Sequence, residues 1–271
     1  MLSYMIMGRR RVAVVRMVCA YCNYILGKGS GAGWDMKGEI QAATEVIQRQ
    51  SPCVFDVGAN VGKWSEMFRM RIQQGTLLMF EPQRSCRKHI ESRGIPAAEL
   101  IPFAVGDYDG EIDLYVASEA DATASMYPRG DSYFAQNTFV PSKVRIVTID
   151  KVMADRHIEF VDLVKMDIEG HEVAAIRGMQ NALKSRRIGA ITFEFGSGNL
   201  NSRTCFKDFW NVLSDEFEIR RITPAGISII VGEYYEDQEY FRGATNYVAV
   251  LKNHPFADPA RRSKVRAVRA G

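Results

Sequence analysis

Short apolar runs of strand length alternate with segments whose apolar residues recur at helical spacing. The predicted strands are a segment that begins at Cys53 and the segments 77–80, 100–103, 111–116, 144–149, 161–166, 188–195, 217–222, 227–231 and 247–251. The predicted helices are 39–50, 63–72, 85–93, a helix that follows Glu172 and one that contains 206–213. This alternation predicts an α/β fold with a doubly wound, mostly parallel sheet and an antiparallel edge strand.

The first two predicted strands both lead into a carboxylate. Asp56 lies at the end of the first strand, just before a turn that contains Gly58 and Gly62, and Glu81 directly follows the second strand. Glycine lets a backbone turn sharply and come close to a ligand. Glu81 can accept hydrogen bonds from both hydroxyls of a ribose. This unit of strand, turn, helix and strand therefore predicts a nucleoside-cofactor site.

The glycine spacing separates two cofactors. A dinucleotide fingerprint needs glycines at its first, third and sixth positions, but counting from Gly58 the third and sixth positions hold Asn60 and Lys63. Asp56 would also face a pyrophosphate, whereas it suits a ligand with an ammonium group, such as S-adenosylmethionine. Asn60 in place of glycine is a mild exchange, because asparagine tolerates positive φ. A nicotinamide-dependent oxidoreductase and a non-catalytic scaffold on the same fold stay open as alternatives.

Several motifs resemble those of the FkbM family of S-adenosylmethionine-dependent methyltransferases. They are the segments 55–62, 80–82, 104–107 with Gly110, 148–150, and 164–172 with 177–178. The acid-rich segment 164–172 is the most specific of them, and the resemblance covers about residues 39–251. One departure is Gln83, where many members carry asparagine after Glu-Pro, but the amide chemistry is kept.

The resemblance implies a fold, a cofactor and a reaction. The fold is the Rossmann-like sheet of class I methyltransferases, and the cofactor is S-adenosylmethionine. The reaction is O-methylation of a hydroxyl, often on a sugar of a glycolipid or polysaccharide or on a secondary metabolite. The predicted cofactor-binding residues are Asp56, Gly58, Ala59, Asn60, Gly62, Glu81, Pro82, Ala104 and Asp167.

Methyl transfer to a hydroxyl needs a base that removes the hydroxyl proton. Asp167, His171 and Glu194 lie at or just beyond the ends of predicted strands, where open α/β sheets bind ligands. We predict His171 as the base, Asp167 at the junction of cofactor and acceptor, and Glu194 as a ligand of the acceptor hydroxyl. Each has a structural alternative, a helix-start role for Asp167 and His171 and an ion pair with Lys165 for Glu194. A divalent cation on Asp167, Glu169 and Glu194 is chemically possible, but no spacing fixes it and no metal is predicted.

The polar, irregular segment 118–142 is a candidate acceptor loop. Its Tyr127, Arg129 and Tyr133 offer stacking and hydroxyl contacts. Long loops above a scaffold often carry function, so we expect this segment to shape the acceptor site.

Composition bounds the domain organisation. The chain has 271 residues, 46% of them hydrophobic and 25% charged, which is typical of a soluble globular domain. We predict a methyltransferase domain over 34–253. A basic amphipathic segment with a glycine-rich linker precedes it over 1–33, and a basic, disordered tail follows it over 254–271.

Charge and cysteine content indicate partners and location. A net charge of +3 is too weak to indicate nucleic acid. The predicted partner is the small-molecule or glycan acceptor that the resemblance implies. The apolar run 12–26 is interrupted by Arg16 and Asn23, which argues against a membrane span. We expect this amphipathic segment to pack on the domain, with peripheral contact to an anionic membrane as the alternative. Five cysteines without disulfide spacing indicate a reducing, cytoplasmic setting, with the membrane surface as the alternative.

Overall fold

The computed structural model describes residues 9–31, 36–129, 136–226, 228–255 and 267–269. The strands of this part, in chain order, are β1 (Cys53–Val57), β2 (Thr76–Phe80), β3 (Ala98–Ile101), β4 (Ala104–Val105), β5 (Gly110–Val116), β6 (Val140–Val147), β7 (Leu163–Met166), β8 (Ala190–Gly196), β9 (Phe217–Ile222), β10 (Ser228–Ile230), β11 (Ala244–Leu251) and β12 (Ala267–Arg269). The helices are α1 (Arg9–Ile25), α2 (Lys37–Glu45), α3 (Lys63–Arg71), α4 (Arg84–Arg93), α5 (Ile149–Asp155), α6 (Glu172–Arg177), α7 (Gln180–Lys184), α8 (Gly198–Ser202) and α9 (Phe206–Leu213). A 3-10 turn spans Glu236–Glu239.

The central sheet confirms the fold class predicted from the sequence. Within the described residues it has nine strands in the order β12-β10-β9-β11-β8-β7-β1-β2-β3. β1 pairs in parallel with β2 on one side and with β7 on the other, and β11 lies antiparallel between β8 and β9. The chain order therefore reverses at β1. This switch point is where open α/β sheets bind ligands beyond the carboxyl ends of their strands.

Two apolar cores cover the two faces of the sheet. Alternate residues of a strand point to opposite faces, so Val54 joins a core with Ile40 of α2, whereas Phe55 joins a core with Phe209 of α9. Every residue of β1 is buried. Coverage of both faces explains why the parallel strands are apolar in nearly every position.

The described residues also form a second, small sheet. It has three strands in the order β4-β6-β5, and β5 and β6 form the antiparallel pair around the segment 117–139. The sequence predicted strand 100–103, but the chain leaves the central sheet at Ile101 and joins the small sheet at Ala104. The long segment between β5 and β6 is therefore anchored at both ends beside the switch point.

The helix predicted after Glu172 is interrupted in the structure. It is divided into α6 and α7 near Gly178, where a Cβ atom would be 1.9 Å from the carbonyl oxygen of Gly106. Asp150 lies at the start of α5 but does not cap it, because Thr148 provides the cap. Asp150 instead accepts hydrogen bonds from the backbone of Asn181 and Ala182 in α7, at 2.9 and 2.8 Å.

The N-terminal helix stands apart from the apolar cores. Met17 and Tyr21 in α1 are 64% and 66% exposed, so the packing favoured by the sequence is not observed. The residues after α1 are fastened to the domain, because Leu26 accepts a hydrogen bond from Arg221 and Lys28 forms an ion pair with Asp237.

The ends of the chain add two findings. None of the described helices combines the length and the apolar character that crossing a lipid bilayer requires. The predicted disordered tail lies largely outside the described residues, apart from its first two residues and the Ala267–Arg269 strand beside β10. The domain boundaries stay a prediction.

Candidate active site

A tight turn after β1 forms the floor of the site. Gly58 and Gly62 both have φ of 79°, and Asn60 has φ of 47°, so the asparagine takes the positive φ expected of it. A Cβ atom on Gly58 would lie 2.0 Å from the carbonyl oxygen of Asp167. Only glycine permits this contact, which brings the turn after β1 against the chain that leaves β7.

Glu81 closes the turn from the end of β2. Its carboxylate oxygens accept backbone hydrogen bonds from Asn60 at 2.8 Å and Gln83 at 2.7 Å. Burial raises the pKa of Glu81 to about 7, although the two hydrogen bonds oppose this rise. Each carboxylate oxygen has a further lone pair for a ligand.

A cavity of about 230 Å³ lies between these groups. Its walls contain seven of the nine predicted cofactor residues, namely Gly58, Ala59, Asn60, Glu81, Pro82, Ala104 and Asp167. Gly62 is not in the wall, because it faces the side chains of Ile90 and Ile95. We call this space the first cavity.

Asp56 lies behind the first cavity and not in its wall. Its carboxylate is fully buried, pairs with the Lys165 ammonium at 3.0 Å and accepts a hydrogen bond from the Ser65 hydroxyl at 2.6 Å. Lys165 also donates to the carbonyl oxygen of Gly58 at 3.1 Å. Asp56 therefore supports the glycine turn through Lys165, which replaces the direct contact with a ligand ammonium expected from the sequence.

Lys165 is a site residue that the sequence reasoning missed. Burial alone would lower its pKa, but the carboxylates of Asp56, Asp167 and Glu39 more than offset this effect and raise the pKa. The sequence contains a signal for this residue, because Lys165 interrupts the otherwise apolar strand β7. A buried lysine needs a charged partner, and here that partner lies on the neighbouring strand.

The segment between β5 and β6 closes the first cavity. Gln83 and Asp121 form a reciprocal pair: the Gln83 amide donates to the Asp121 carbonyl oxygen at 2.8 Å, and the Asp121 backbone N–H donates to the Gln83 amide oxygen at 3.1 Å. Ala122, Ala124 and Met126 follow in the cavity wall. The described part of the predicted acceptor loop therefore covers the first cavity.

The three side chains named for that loop have other positions. Arg129 pairs with Glu169 at 2.7 Å, and Tyr127 contacts His171. Tyr133 lies outside the described residues.

His171 does not reach the first cavity. It is 5% exposed, and its Nδ1 atom lies 2.9 Å from the Tyr127 hydroxyl. A Cβ atom on Gly106 would be 2.8 Å from His171 Nε2, so the ring is packed under β4. Burial lowers the pKa of His171 to about 4, opposed by Asp107. This position gives His171 a packing role and argues against its prediction as the base, since position in the sequence did not fix the side to which the ring turns.

A second cavity, of about 150 Å³, adjoins the first. The two share Met36, Glu39 and Asp167 in their walls, and the second also contains Glu194 and Asn246. Asp167 is exposed, and its place at a junction of cofactor and acceptor stays a prediction. Glu39 was missed because it lies in α2, before the first motif. Among the described residues no set of His, Cys, Asp and Glu side chains is arranged to hold a metal ion.

A comparison of the sequence with models of known protein families gives a match. The family model described as "Methyltransferase FkbM domain" matches residues 56–240, which include the glycine turn, Glu81, Asp167 and Glu194. The chain belongs to the FkbM methyltransferase family. Membership favours a methyltransferase over the nicotinamide-dependent oxidoreductase and the scaffold that the sequence left open.

Individual FkbM relatives are distant. The 2-O-methyltransferase NoeI of Sinorhizobium fredii (strain NBRC 101917 / NGR234) is 25% identical over 154 residues, which are 52% of this chain and 63% of that protein. The chain therefore spans less than two thirds of this relative. A methyltransferase FkbM structure from Methylobacillus flagellatus KT has 15% identity and a TM-score of 0.45, and the match covers 74% of this chain and 44% of that one.

One comparison corrects the predicted partners of this FkbM protein. The similar structures include a fibrillarin pre-rRNA processing protein from Methanococcus jannaschii, with 11% identity, a TM-score of 0.44, and coverage of 80% of this chain and 76% of that one. Proteins of RNA processing thus occur on similar folds, so the exclusion of nucleic acid made from net charge was wrong. Such likeness concerns the fold alone. None of the comparisons supports the predicted glycan acceptor.

Proposed function

We propose that this FkbM protein is an S-adenosylmethionine-dependent O-methyltransferase that acts on a hydroxyl group. The observation that carries the proposal is the position of Asp167, whose residue lies in the walls of both cavities. The first cavity presents a carboxylate, Glu81, suited to a ribose. Asp167 is therefore available to the groups that react where the cavities meet.

The residues of the first cavity fit the proposed cofactor. Glu81 can accept the two ribose hydroxyls, and Gly58 leaves the backbone open to a close approach. The Gln83–Asp121 pair closes the cavity over the nucleoside. When bound, S-adenosylmethionine supplies an activated methyl group on a sulfonium sulfur.

The residues around Asp167 supply what the acceptor needs. Asp167 would accept the hydroxyl proton as the acceptor oxygen forms its bond to the methyl carbon and the carbon–sulfur bond breaks. Glu194 would hold the acceptor, because it lies in the wall of the second cavity together with Asp167. Holding both reactants in line supplies the rest of the rate enhancement.

Ligand-dependent stabilisation tests the cofactor. The melting temperature should rise with S-adenosylmethionine and with S-adenosylhomocysteine but not with NAD, because only a ligand that binds the folded state stabilises it. Stabilisation by NAD alone would refute the proposal. Transfer of a labelled methyl group to hydroxyl compounds then tests the reaction.

Glu81→Gln should weaken S-adenosylhomocysteine binding by about 1.5–3 kcal/mol, because it removes a charged acceptor from a largely buried site. Titration calorimetry gives the value. Glu91→Gln, on the exposed surface of α4, is the matched control and should bind as the parent does. Equal affinity of Glu81→Gln and the parent would show that Glu81 does not bind the ribose.

S-adenosylhomocysteine affinity should also fall as the pH decreases below about 7. The pKa of Glu81 is raised to about 7 in the free protein, and ribose hydroxyls bind the ionised carboxylate. Below that pKa, binding must first remove a proton, whereas above it the carboxylate is already ionised and affinity levels off. Calorimetry from about pH 5.5 to about pH 8.5 measures the trend. Glu81→Gln should lose this part of the pH dependence. A parent protein whose affinity does not change with pH would contradict the role of Glu81 in binding the ribose.

A further inference from the structure

Two buried hydroxyls of the second cavity have no partner. Thr192 and Thr223 are 2% and 6% exposed, and both belong to the cavity wall. Neither Oγ1 atom has a hydrogen-bond partner among the described residues. A buried hydroxyl without a partner costs free energy. These hydroxyls therefore indicate a polar ligand in this space.

Three carboxylates line the same space. Glu39 comes from α2, Asp167 follows β7, and Glu194 lies in β8. Within the described part of the chain, no side chain in this wall carries a positive charge. The nearby Lys165 is engaged by Asp56 and by the carbonyl oxygen of Gly58. The cavity wall therefore has three carboxyl groups and, among the described residues, no basic side chain to balance them.

The carboxylates disturb one another. Burial raises the pKa of Glu39 to about 7, with Asp167 and Asp56 adding to the rise and Lys165 opposing it. Burial and four neighbouring carboxylates, including Asp167 and Glu39, raise the pKa of Glu194 well above its usual value. A cation in the cavity would relieve both effects, whereas a neutral polyol would not.

Two oxygen atoms converge at one edge of the cavity. Glu194 of β8 is the register partner of Asn246 of β11. A Cβ atom on Gly31 would lie 2.8 Å from Glu194 Oε2 and 2.9 Å from Asn246 Oδ1. Both oxygens are thus turned toward the same place beside Gly31, where a donor with several N–H groups can reach them.

We propose that the second cavity is a binding site for an ammonium group. An ammonium has three N–H donors and no acceptor, which matches carboxylate, threonine hydroxyl and amide oxygens. The inference rests on the proposed function in that Asp167 receives the acceptor next to this site. The group belongs to the acceptor, which carries an amine near its reacting hydroxyl, because the methionyl end of the cofactor also has a carboxylate that the acidic side chains of this wall would repel.

Ethanolamine, which carries a hydroxyl and a protonated amine at neutral pH, is the probe. Its binding to the full chain is measured by titration calorimetry against ethylene glycol, the neutral analogue, at constant ionic strength. Ethanolamine should bind at least about tenfold more tightly, because a charged donor meets charged acceptors. Equal affinity for the two probes would overturn the proposal.

Two nucleosides distinguish the sources of the ammonium. S-adenosylhomocysteine has a methionyl amine, whereas 5′-deoxy-5′-methylthioadenosine lacks it. If the cofactor supplies the ammonium, the first nucleoside blocks ethanolamine and the second does not. If the acceptor supplies it, ethanolamine binds in the presence of either nucleoside. The second result supports the proposal, whereas the first would assign the cavity to the cofactor and overturn it.

Variants locate the site. Glu194→Gln should weaken ethanolamine binding at least about tenfold, and Thr192→Val about two- to tenfold. Gly31→Ala adds a methyl group beside Glu194 and Asn246 without changing charge, and it should weaken binding as well. Glu91→Gln is the control for a lost surface charge. Ethanolamine binding that survives all three cavity variants in folded protein would overturn the proposal.

The outcomes separate this inference from the proposed function. Stabilisation by S-adenosylhomocysteine without ethanolamine binding would leave the methyltransferase proposal standing and remove the ammonium site. Ethanolamine binding that depends on Glu194, without any response to S-adenosylmethionine or S-adenosylhomocysteine, would do the reverse.

Discussion

Asp167→Asn is expected to lower the rate of methyl transfer by about 10²–10⁴-fold while leaving S-adenosylhomocysteine affinity nearly unchanged. Asparagine keeps the size of the side chain and the backbone contact with Gly58, but its amide cannot take the hydroxyl proton. Single-turnover assays with saturating cofactor measure the chemical step directly. The effect should appear in kcat rather than in the cofactor KM.

Two further variants are measured beside Asp167→Asn. Asp155→Asn, on the exposed surface of α5, should leave turnover unchanged. Glu194→Gln should raise the acceptor KM, since Glu194 is proposed to hold the acceptor and not to take its proton. Full turnover in Asp167→Asn would move the base to Glu194 and would contradict the mechanism proposed for Asp167.

Lys165→Met should cost about 3–5 kcal/mol of unfolding free energy, because it leaves the Asp56 carboxylate buried without its cation. The side chains of Lys165 and Asp56 are 5% and 0% exposed, so water cannot replace the lost partner. The glycine turn would lose its contact with Lys165 as well, and cofactor affinity should fall with stability. Urea unfolding followed by circular dichroism gives the free energy.

An exposed ion pair provides the matched control. Lys151 and Asp155 pair along α5 with side chains that are 47% and 59% exposed. Lys151→Met should therefore cost no more than about 0.5 kcal/mol. A loss below about 1 kcal/mol in Lys165→Met would mean that the buried pair does not hold the turn, contrary to its geometry.

The parts of the site that the sequence predicted are those fixed by neighbouring residues. Gly58, Asn60 and Glu81 follow directly from strand ends and turn chemistry, and the structure places all three in the wall of the first cavity. Alternation of apolar runs with helical periodicity was enough for the mostly parallel sheet, because both faces of such a sheet must be covered. Local sequence patterns were therefore enough to predict the fold and these three residues of the first cavity.

The residues that were missed depend on strand register, which the local pattern does not contain. Lys165 meets Asp56, and Thr192 lies beside Lys165, only because β1, β7 and β8 pair as they do. His171 was predicted as a site residue, but its side chain does not reach the first cavity. Its place after a strand end was read correctly, but the side to which the ring points depends on the packing of Gly106 and Tyr127 around it.

The close approach of Gly58 to the carbonyl oxygen of Asp167 shows that main chain and side chains contribute differently to the two cavities. The first cavity meets Asp167 through main chain at Gly58, where any side chain would collide. The second cavity includes the side chains of Thr192 and Glu194 from β8 and of Asn246 from β11. Under the proposed function, we expect exchange of these three residues to alter which acceptor binds without moving the glycine turn. For enzyme engineering, the proposed methyl-donor side would stay fixed while the proposed acceptor side is varied.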